Sequence, residues 1–343
     1  MIRLVSFIAI ALLSLSCSTQ LTYPKIPKST NNATVIGKIK YPQQFKYEGN
    51  PVSRMHSAAD PDAHVWGDEV WVYTSQDRWV DSTKHKHHYD AMDGYHAFST
   101  KDMVNWTDHG EVFHSSDVPW AWEKGGFLWA PGAAHKNGKY YLYYPIKNKE
   151  GQWRVGVAVG KTPIGPFVDA GKPLEGFSDI DPHVFIDDDG QAYIYNNIAV
   201  VAKLKPNMIE LAEAPRNIDY APKEIMANDT MKFLEGPYMH KKDGVYYYSY
   251  TNWKNKTNQG YYAIGKNPYG PFEWKGAMGP RPQGAQDHHS IIDFKGQWYY
   301  FYHMSTSKFP LYRESQSRIF CFDKMFYNPD GTIKKVIHTN SIK

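Results

Sequence analysis

The sequence predicts an all-β chain folded as a single five-bladed β-propeller. Three observations predict it: an aromatic-rich composition, one hairpin pattern that recurs five times, and no helical pattern longer than a turn or two. The chain has 343 residues, with 26 Tyr, 16 Phe and 11 Trp making 15% aromatic. Such residues suit twisted sheets, and the 26 Gly and 22 Pro supply turns. Hydrophobic residues at 42% and charged residues at 22% allow a full core and exclude a disordered chain. The net charge is only +4 and no long Lys/Arg run occurs, which excludes a nucleic-acid partner.

The chain begins with a charged Met1-Ile2-Arg3, an apolar run from Leu4 to Leu15, and then Ser16-Cys17. That is the layout of an export signal, too short to span a bilayer. A Cys directly after the apolar run resembles a bacterial lipobox, although Ser14 stands where Leu is usual. Residues 1–17 are therefore read as a lipoprotein-type signal with Cys17 as the lipidation site, and simple secretion is the alternative. Lipid anchoring places the protein in a bacterial outer membrane or periplasm. Residues 18–45 are polar, with scattered Pro and Asn, and read as a tether. Cys321 is then the only cysteine of the mature chain, so no internal disulfide can form. Its neighbours Ile319, Phe320 and Phe322 mark an inert buried thiol.

Five hairpins follow, at 59–75, 130–146, 181–197, 235–251 and 287–303. Each has a small or polar start, a short apolar run, a Gly-containing turn and an aromatic strand. The turn glycines Gly67, Gly138, Gly190, Gly244 and Gly296 are spaced by 71, 52, 54 and 52 residues. A period near fifty with four strands per unit is propeller arithmetic. The long first interval holds an insertion at 78–93. Gly-Pro-Phe recurs at 165–167 and 270–272, which marks units two and four as copies. The five blades fill residues 46–343 as one domain, with 207–213 as the best helix candidate.

The starts of the five hairpins carry Asp60, Trp129-Ala130, Asp181, Glu235 and Asp287-His288. First strands of propeller blades line the central channel, so these positions converge at one end of the axis. Acids that recur at a repeat position are not a scattered solvated surface. Acids gathered in one pocket suit glycoside cleavage. One protonates the leaving oxygen and another activates a water from the opposite face. A third carboxylate nearby raises the acid's pKa.

The set Ala59-Asp60-Pro61, Trp129-Ala130-Pro131, Ile180-Asp181-Pro182, Glu235-Gly236-Pro237 and His288-His289-Ser290 resembles glycoside hydrolase family 43. The resemblance covers about 50–335, and Tyr327–Ile333 is similar to that family's last blade. It implies that Asp60 is the general base, Glu235 the general acid, and Asp181 the carboxylate that tunes and orients the acid. It places His288 as the channel histidine, which in several members helps to hold a calcium ion or water; His289 is the competing choice. No cofactor is implied for the chemistry. Trp129 is expected to pack against a sugar ring, with core packing as the alternative. Arg318 is expected as a pocket arginine, with surface exposure as the alternative.

Other signals read as structural. His85, His87 and His88 form a solvated loop over the pocket rim, since a flexible loop rarely orders three zinc ligands. Asp187-Asp188-Asp189-Gly190 lacks the twelfth-position acid of a calcium loop and reads as a hairpin turn. The expected activity is an inverting, exo-acting α-L-arabinofuranosidase on plant cell-wall glycans, with β-xylosidase and then endo-arabinanase as runners-up. The partner is a saccharide and the chain is expected to be a monomer. A non-catalytic sugar-binding propeller would be expected to have lost an acid. A retaining invertase-like propeller would need an Asn-Asp-Pro-Asn signature that is not here.

Overall fold

The computed structural model describes residues 41–52, 57–78, 84–221, 235–252, 258–305 and 318–340. The readings of residues 1–17, of Cys17, of the tether up to residue 40, and of 79–83 in the insertion lie outside them. Among the described residues five sheets form in chain order, antiparallel except where Tyr220 and Ala221 pair in parallel with Phe272 and Glu273 of blade four. Blade one holds β1 (Gln43–Lys46), β2 (Ala59–Trp66), β3 (Glu69–Ser75), β4 (Gly94–Thr100) and β5 (Asn105–His114). Blade two holds β6 (Gly132–Lys136), β7 (Lys139–Lys147), β8 (Trp153–Gly160) and β9 (Val168–Asp169). Blade three holds β10 (His183–Ile186), β11 (Ala192–Tyr195), β12 (Val200–Lys203) and β13 (Arg216–Asn217). Blade four holds β14 (Tyr220–Ala221), β15 (Glu235–Lys242), β16 (Val245–Asn252), β17 (Gln259–Gly265) and β18 (Phe272–Ala277). Blade five holds β19 (Ser290–Phe294), β20 (Gln297–Ser305) and β21 (Arg318–Met325).

The first strands β2, β6, β10, β15 and β19 touch one another in a ring, β19 closing on β2. They therefore surround one axis, as the repeat predicts. The core confirms the closure. It consists of five apolar clusters, one between each pair of neighbouring blades. Strand alternation explains how one sheet feeds two clusters. In β7, Leu142 and Tyr144 face blade one while Tyr141 and Tyr143 face blade three. In β20, Tyr300 and Tyr302 face blade four while Phe301 faces blade one. A second strand buried on both faces must be apolar at every position, hence the aromatic runs.

Turn chemistry fixes the hairpins. Asn137-Gly138, Asp243-Gly244 and Lys295-Gly296 have positive φ at both central residues, as a two-residue type I′ hairpin requires. Asp187–Gly190 is a turn as expected: the Gly190 N–H donates to the Asp187 carbonyl at 2.8 Å. The Asp187 carboxylate also ties this turn to Lys241 and Tyr246 of blade four. The ring is closed through the N-terminal segment, which runs beside β21. The Val52 and Ala58 N–H groups donate to the Phe320 and Arg318 carbonyls. Cys321 of β21 is a fully buried thiol outside any disulfide, packed in the cluster between blades four and five.

Three expectations need correction. The strand β1 starts at Gln43 and pairs with β5, so the sheet begins inside the stretch read as tether. Residues 207–213 are not helical; a Leu204–Leu211 bridge closes a turn there, with Met208 buried at φ +66°. The insertion is not a solvated loop throughout. His85 is buried beside the Trp122 and Phe127 rings, and a short 3-10 turn spans His88–Ala91. That turn is docked by Phe127 N–H to the Asp90 carbonyl and Leu128 N–H to the Met92 carbonyl. His87 is exposed.

Candidate active site

The blade mouths position the acids through backbone geometry. In blades one, three and four, one residue before a proline takes the left-handed conformation: Asp60 at φ +50°, Asp181 at +56° and Gly236 at +59°. In β2 and β15 this residue lies in a bulge that shifts the register, between Ala59 and Asp62 and between Glu235 and Tyr238. Aspartate tolerates this conformation better than most side chains do. Register shows that the three acids are not at one repeat position. Ala59 pairs with Ser75 and Glu235 with Thr251, so Glu235 matches Ala59, one residue before Asp60. Asp60 and Asp181 share one position; Glu235 shares the preceding one with Trp129 and Ile180.

These two adjacent positions meet in one cavity of about 220 Å³. It is lined by Asp60, Asp181, Glu235, Trp129, His288 and Arg318, which are all the predicted site residues, together with Tyr89, Met92, Ala130, Ile180 and Gln286. His289 is not among them. It is fully buried between Asp287 (3.2 Å) and the Ser249 hydroxyl (2.8 Å). The Trp129 indole is partly exposed, donates to the Tyr89 carbonyl at 2.9 Å, and has the Trp153 ring 4.6 Å away.

The Asp60 carboxylate is 4% exposed and densely held. Arg318 Nη1 donates to Oδ1 at 2.8 Å and the Ser75 hydroxyl to Oδ2 at 2.5 Å. His288 Nδ1 stands 3.6 Å from Oδ1. The Asp60 N–H donates to His303 Nδ1 at 3.0 Å, which fixes the strained backbone. Burial alone would raise the Asp60 pKa, but Arg318, His288, His303 and the Ser75 hydroxyl outweigh it. The carboxyl is held well below the usual range and stays ionised. Arg318 is itself buried. Its Nη2 donates to Asp77 Oδ1 at 2.7 Å and its N–H to Asp77 Oδ2 at 2.7 Å. Tyr89 lies 5.1 Å beneath the guanidinium. Burial would weaken the Arg318 charge, yet Asp60 and Asp77 hold it protonated.

Asp181 is buried to the same degree but pushed the other way. Burial raises its pKa, and the Asp60 and Asp179 charges add to that. His288 and the Gly236 N–H, 3.0 Å from Oδ2, offset only part. Half-buried Glu235 precedes this Gly236, so Asp181 grips the backbone that carries Glu235. A Cβ on Gly236 would lie 3.6 Å from the His288 ring, which places His288 against the same turn. Among the described residues no three His, Cys, Asp or Glu side chains converge as a metal group. Calcium takes six to eight oxygens; with Asp60 and Asp181 already engaged, the residues around His288 do not make such a cage by themselves.

Sequence reasoning missed Ser75, Asp77, Tyr89 and His303. Ser75 could have been found by counting hairpin register from Gly67, and Asp77 lies two residues beyond it; Tyr89 and His303 come from other segments.

Carboxylates of unlike pKa around the mouth of a five-bladed propeller channel define a glycoside hydrolase. The model of glycosyl hydrolases family 43 matches residues 48–333, and the chain belongs to that family. It is 37% identical over 283 residues to a xylosidase/arabinosidase of Bacteroides ovatus, covering 71% of this chain and 85% of that protein. It is 33% identical over 326 residues to a β-xylosidase of Xylanibacter ruminicola, covering 81% and 96%. A solved family 43 β-xylosidase/α-arabinofuranosidase from a compost metagenome, in complex with xylotriose and calcium-free, superposes with TM-score 0.76. It shares 33% identity and covers 86% of this chain and 98% of that one. The chain is thus an O-glycosyl hydrolase, and family 43 chemistry needs no cofactor.

Proposed function

We propose that the protein removes terminal α-L-arabinofuranosyl units from hemicellulose or pectin side chains, with inversion at the anomeric carbon. The observation that carries this is the small cavity faced by Asp60, Asp181 and Glu235. At about 220 Å³ it is below the roughly 300–1,000 Å³ of ordinary small-molecule pockets, which suits one end ring and exo action. Asp60, ionised, takes the proton from a water as its oxygen attacks the anomeric carbon. Glu235 gives its proton to the glycosidic oxygen as that bond breaks. Asp181 holds the turn of Glu235 and favours its protonated form. Trp129, Arg318 and His288 bind the ring.

A second reading, β-xylosidase, is favoured by the names of the relatives, three of which carry both activities. Arabinofuranose and xylopyranose offer similar hydroxyls to such a pocket. The test is a screen with nitrophenyl arabinofuranoside, xyloside and galactoside plus arabinan and arabinoxylan. Fastest turnover of the arabinofuranoside is expected; a fastest xyloside would select the second reading. Internal cleavage of arabinan, with oligosaccharides released, would overturn exo action.

The protein works outside the cytoplasm as a monomer anchored by diacylglycerol on Cys17. A diacylated cysteine supplies the two or more chains that stable anchoring needs. Cys17→Ser should leave the membrane fraction with activity intact; continued membrane partitioning would contradict the anchor.

A further inference from the structure

A second cavity, separate from the one that holds the acids, lies nearby. It is a groove of about 530 Å³ lined by Arg154, Lys172, Pro173, Leu174, Glu175, Gly176, Phe177 and Ser178. Its position follows from topology. The segment 170–182 joins β9, the last strand of blade two, to β10, the first of blade three. It therefore crosses the same propeller face as the blade mouths that carry the acids. Both walls of the groove begin beside the catalytic cavity. Ser178 is two residues before Ile180, a reach of at most about 7 Å of chain. Arg154 follows Trp153, whose ring meets Trp129 at 4.6 Å.

The groove is also built rigidly. Leu174 and Phe177 are buried at 2% each and anchor its floor. The Leu174 N–H donates to the Val155 carbonyl at 2.8 Å. Asn196 Nδ2 donates to the Ser178 carbonyl at 2.8 Å, and the Asn197 N–H to the Ile180 carbonyl at 3.1 Å. On the opposite side Tyr89 and Met92 of the insertion line the cavity, so the rim is built up toward blade one.

We propose that this groove binds the glycan chain beyond the scissile bond, running outward between blades two and three. This rests on the glycosidase reading of the cavity. The occupant is a neutral pentose backbone. Its hydroxyls both donate and accept, and the groove offers guanidinium, ammonium, carboxylate and hydroxyl groups on Arg154, Lys172, Glu175 and Ser178. If about 220 Å³ holds one ring, the groove holds about two more. Binding energy collected there from remote rings would be used at the reacting centre.

The test uses Ser178→Trp, which fills the groove from an exposed position, and Arg154→Ala. Each is compared with the parent on nitrophenyl arabinofuranoside and on an arabinosylated xylotetraose. The kcat/KM on the nitrophenyl substrate should stay within about twofold, while that on the oligosaccharide falls about tenfold. Equal retention of both activities in both variants would overturn the proposal. Binding of xylotetraose, read by tryptophan fluorescence, separates this from the activity reading because it requires no turnover. Weakening of about tenfold in both variants supports the groove; unchanged binding contradicts it even if the parent hydrolyses nothing.

Discussion

Asp60 and Asp181 stand at the same position of blades one and three, and the two blade mouths treat them in opposite ways. Both precede a proline, both have left-handed backbones, and both are about 5% exposed (4% and 6%). Blade one surrounds its aspartate with Arg318, His288 and a hydroxyl, and so keeps it charged. At blade three burial, joined by the Asp60 and Asp179 charges, pushes the aspartate toward the neutral form, and His288 and the Gly236 N–H offset only part of it. The repeat sets where a carboxylate points; the partners brought by other blades set what it can do. Asp60 takes Ser75 from β3 of its own blade, but His303 and Arg318 from β20 and β21 of blade five, which reach it only when the ring closes.

The largest expected effect breaks the charged member. Asp60→Asn keeps the shape and removes the proton acceptor, and kcat should fall by roughly 10²–10⁴-fold in steady-state assays. Asp181→Asn should lower the rate less while displacing the pH–rate profile. If the two variants lose activity equally and with unchanged profiles, the contrast between the mouths has no functional weight. Glu235→Gln removes a proton donor, so its loss should be large on natural glycans and much smaller on dinitrophenyl glycosides, whose leaving group scarcely needs protonation. Equal loss on both would remove Glu235 from the acid role.

Arg318→Met tests the source of the contrast. It removes the main charge that holds Asp60 low and leaves Asp77 buried without its guanidinium. Unfolding experiments should show a loss of about 3–5 kcal/mol, the scale for breaking a buried ion pair. The acid limb of kcat/KM should move to higher pH, since Asp60 then protonates more readily. The smallest effect is that of Ser75→Ala, which takes away one hydroxyl bond. It should move the same limb upward by less than about one unit with little change in the plateau.

Acid stability checks the wider setting. Burial depresses His303 to about 3, and His183 and His240 to about 4 and 3. Unfolded histidines titrate near 6.5, so the unfolded chain binds protons first as pH falls. Stability from these neutral rings is fully present above that pH. It declines between about 6.5 and 4, by about 1.4 kcal/mol per pH unit for each ring. A melting temperature unchanged from pH 7 to 4.5 would contradict neutral burial.

Much of this was legible in the sequence because it is local. The turn glycines and aromatic second strands encode hairpins directly, and their spacing encodes blades. The acids were legible as a group, but not their one-residue offset, since a bulge is invisible until register is known. His85 was misread because Trp122 and Phe127, which bury it, lie far along the chain. Residues 207–213 were misread because a left-handed Met208 turns the chain where the pattern allowed a helix. Asp77 and His303 carried no motif; they matter only through Arg318 and Asp60, which they meet across the ring closure.

The central claim is that Asp60, held ionised, acts on water and not on the sugar. Proton NMR of the first sugar released, recorded before mutarotation, tests it directly. The account predicts the anomer of inverted configuration from the natural linkage. A first-formed sugar with retained configuration would make a carboxylate of this pocket a nucleophile and contradict the roles assigned to Asp60 and Glu235.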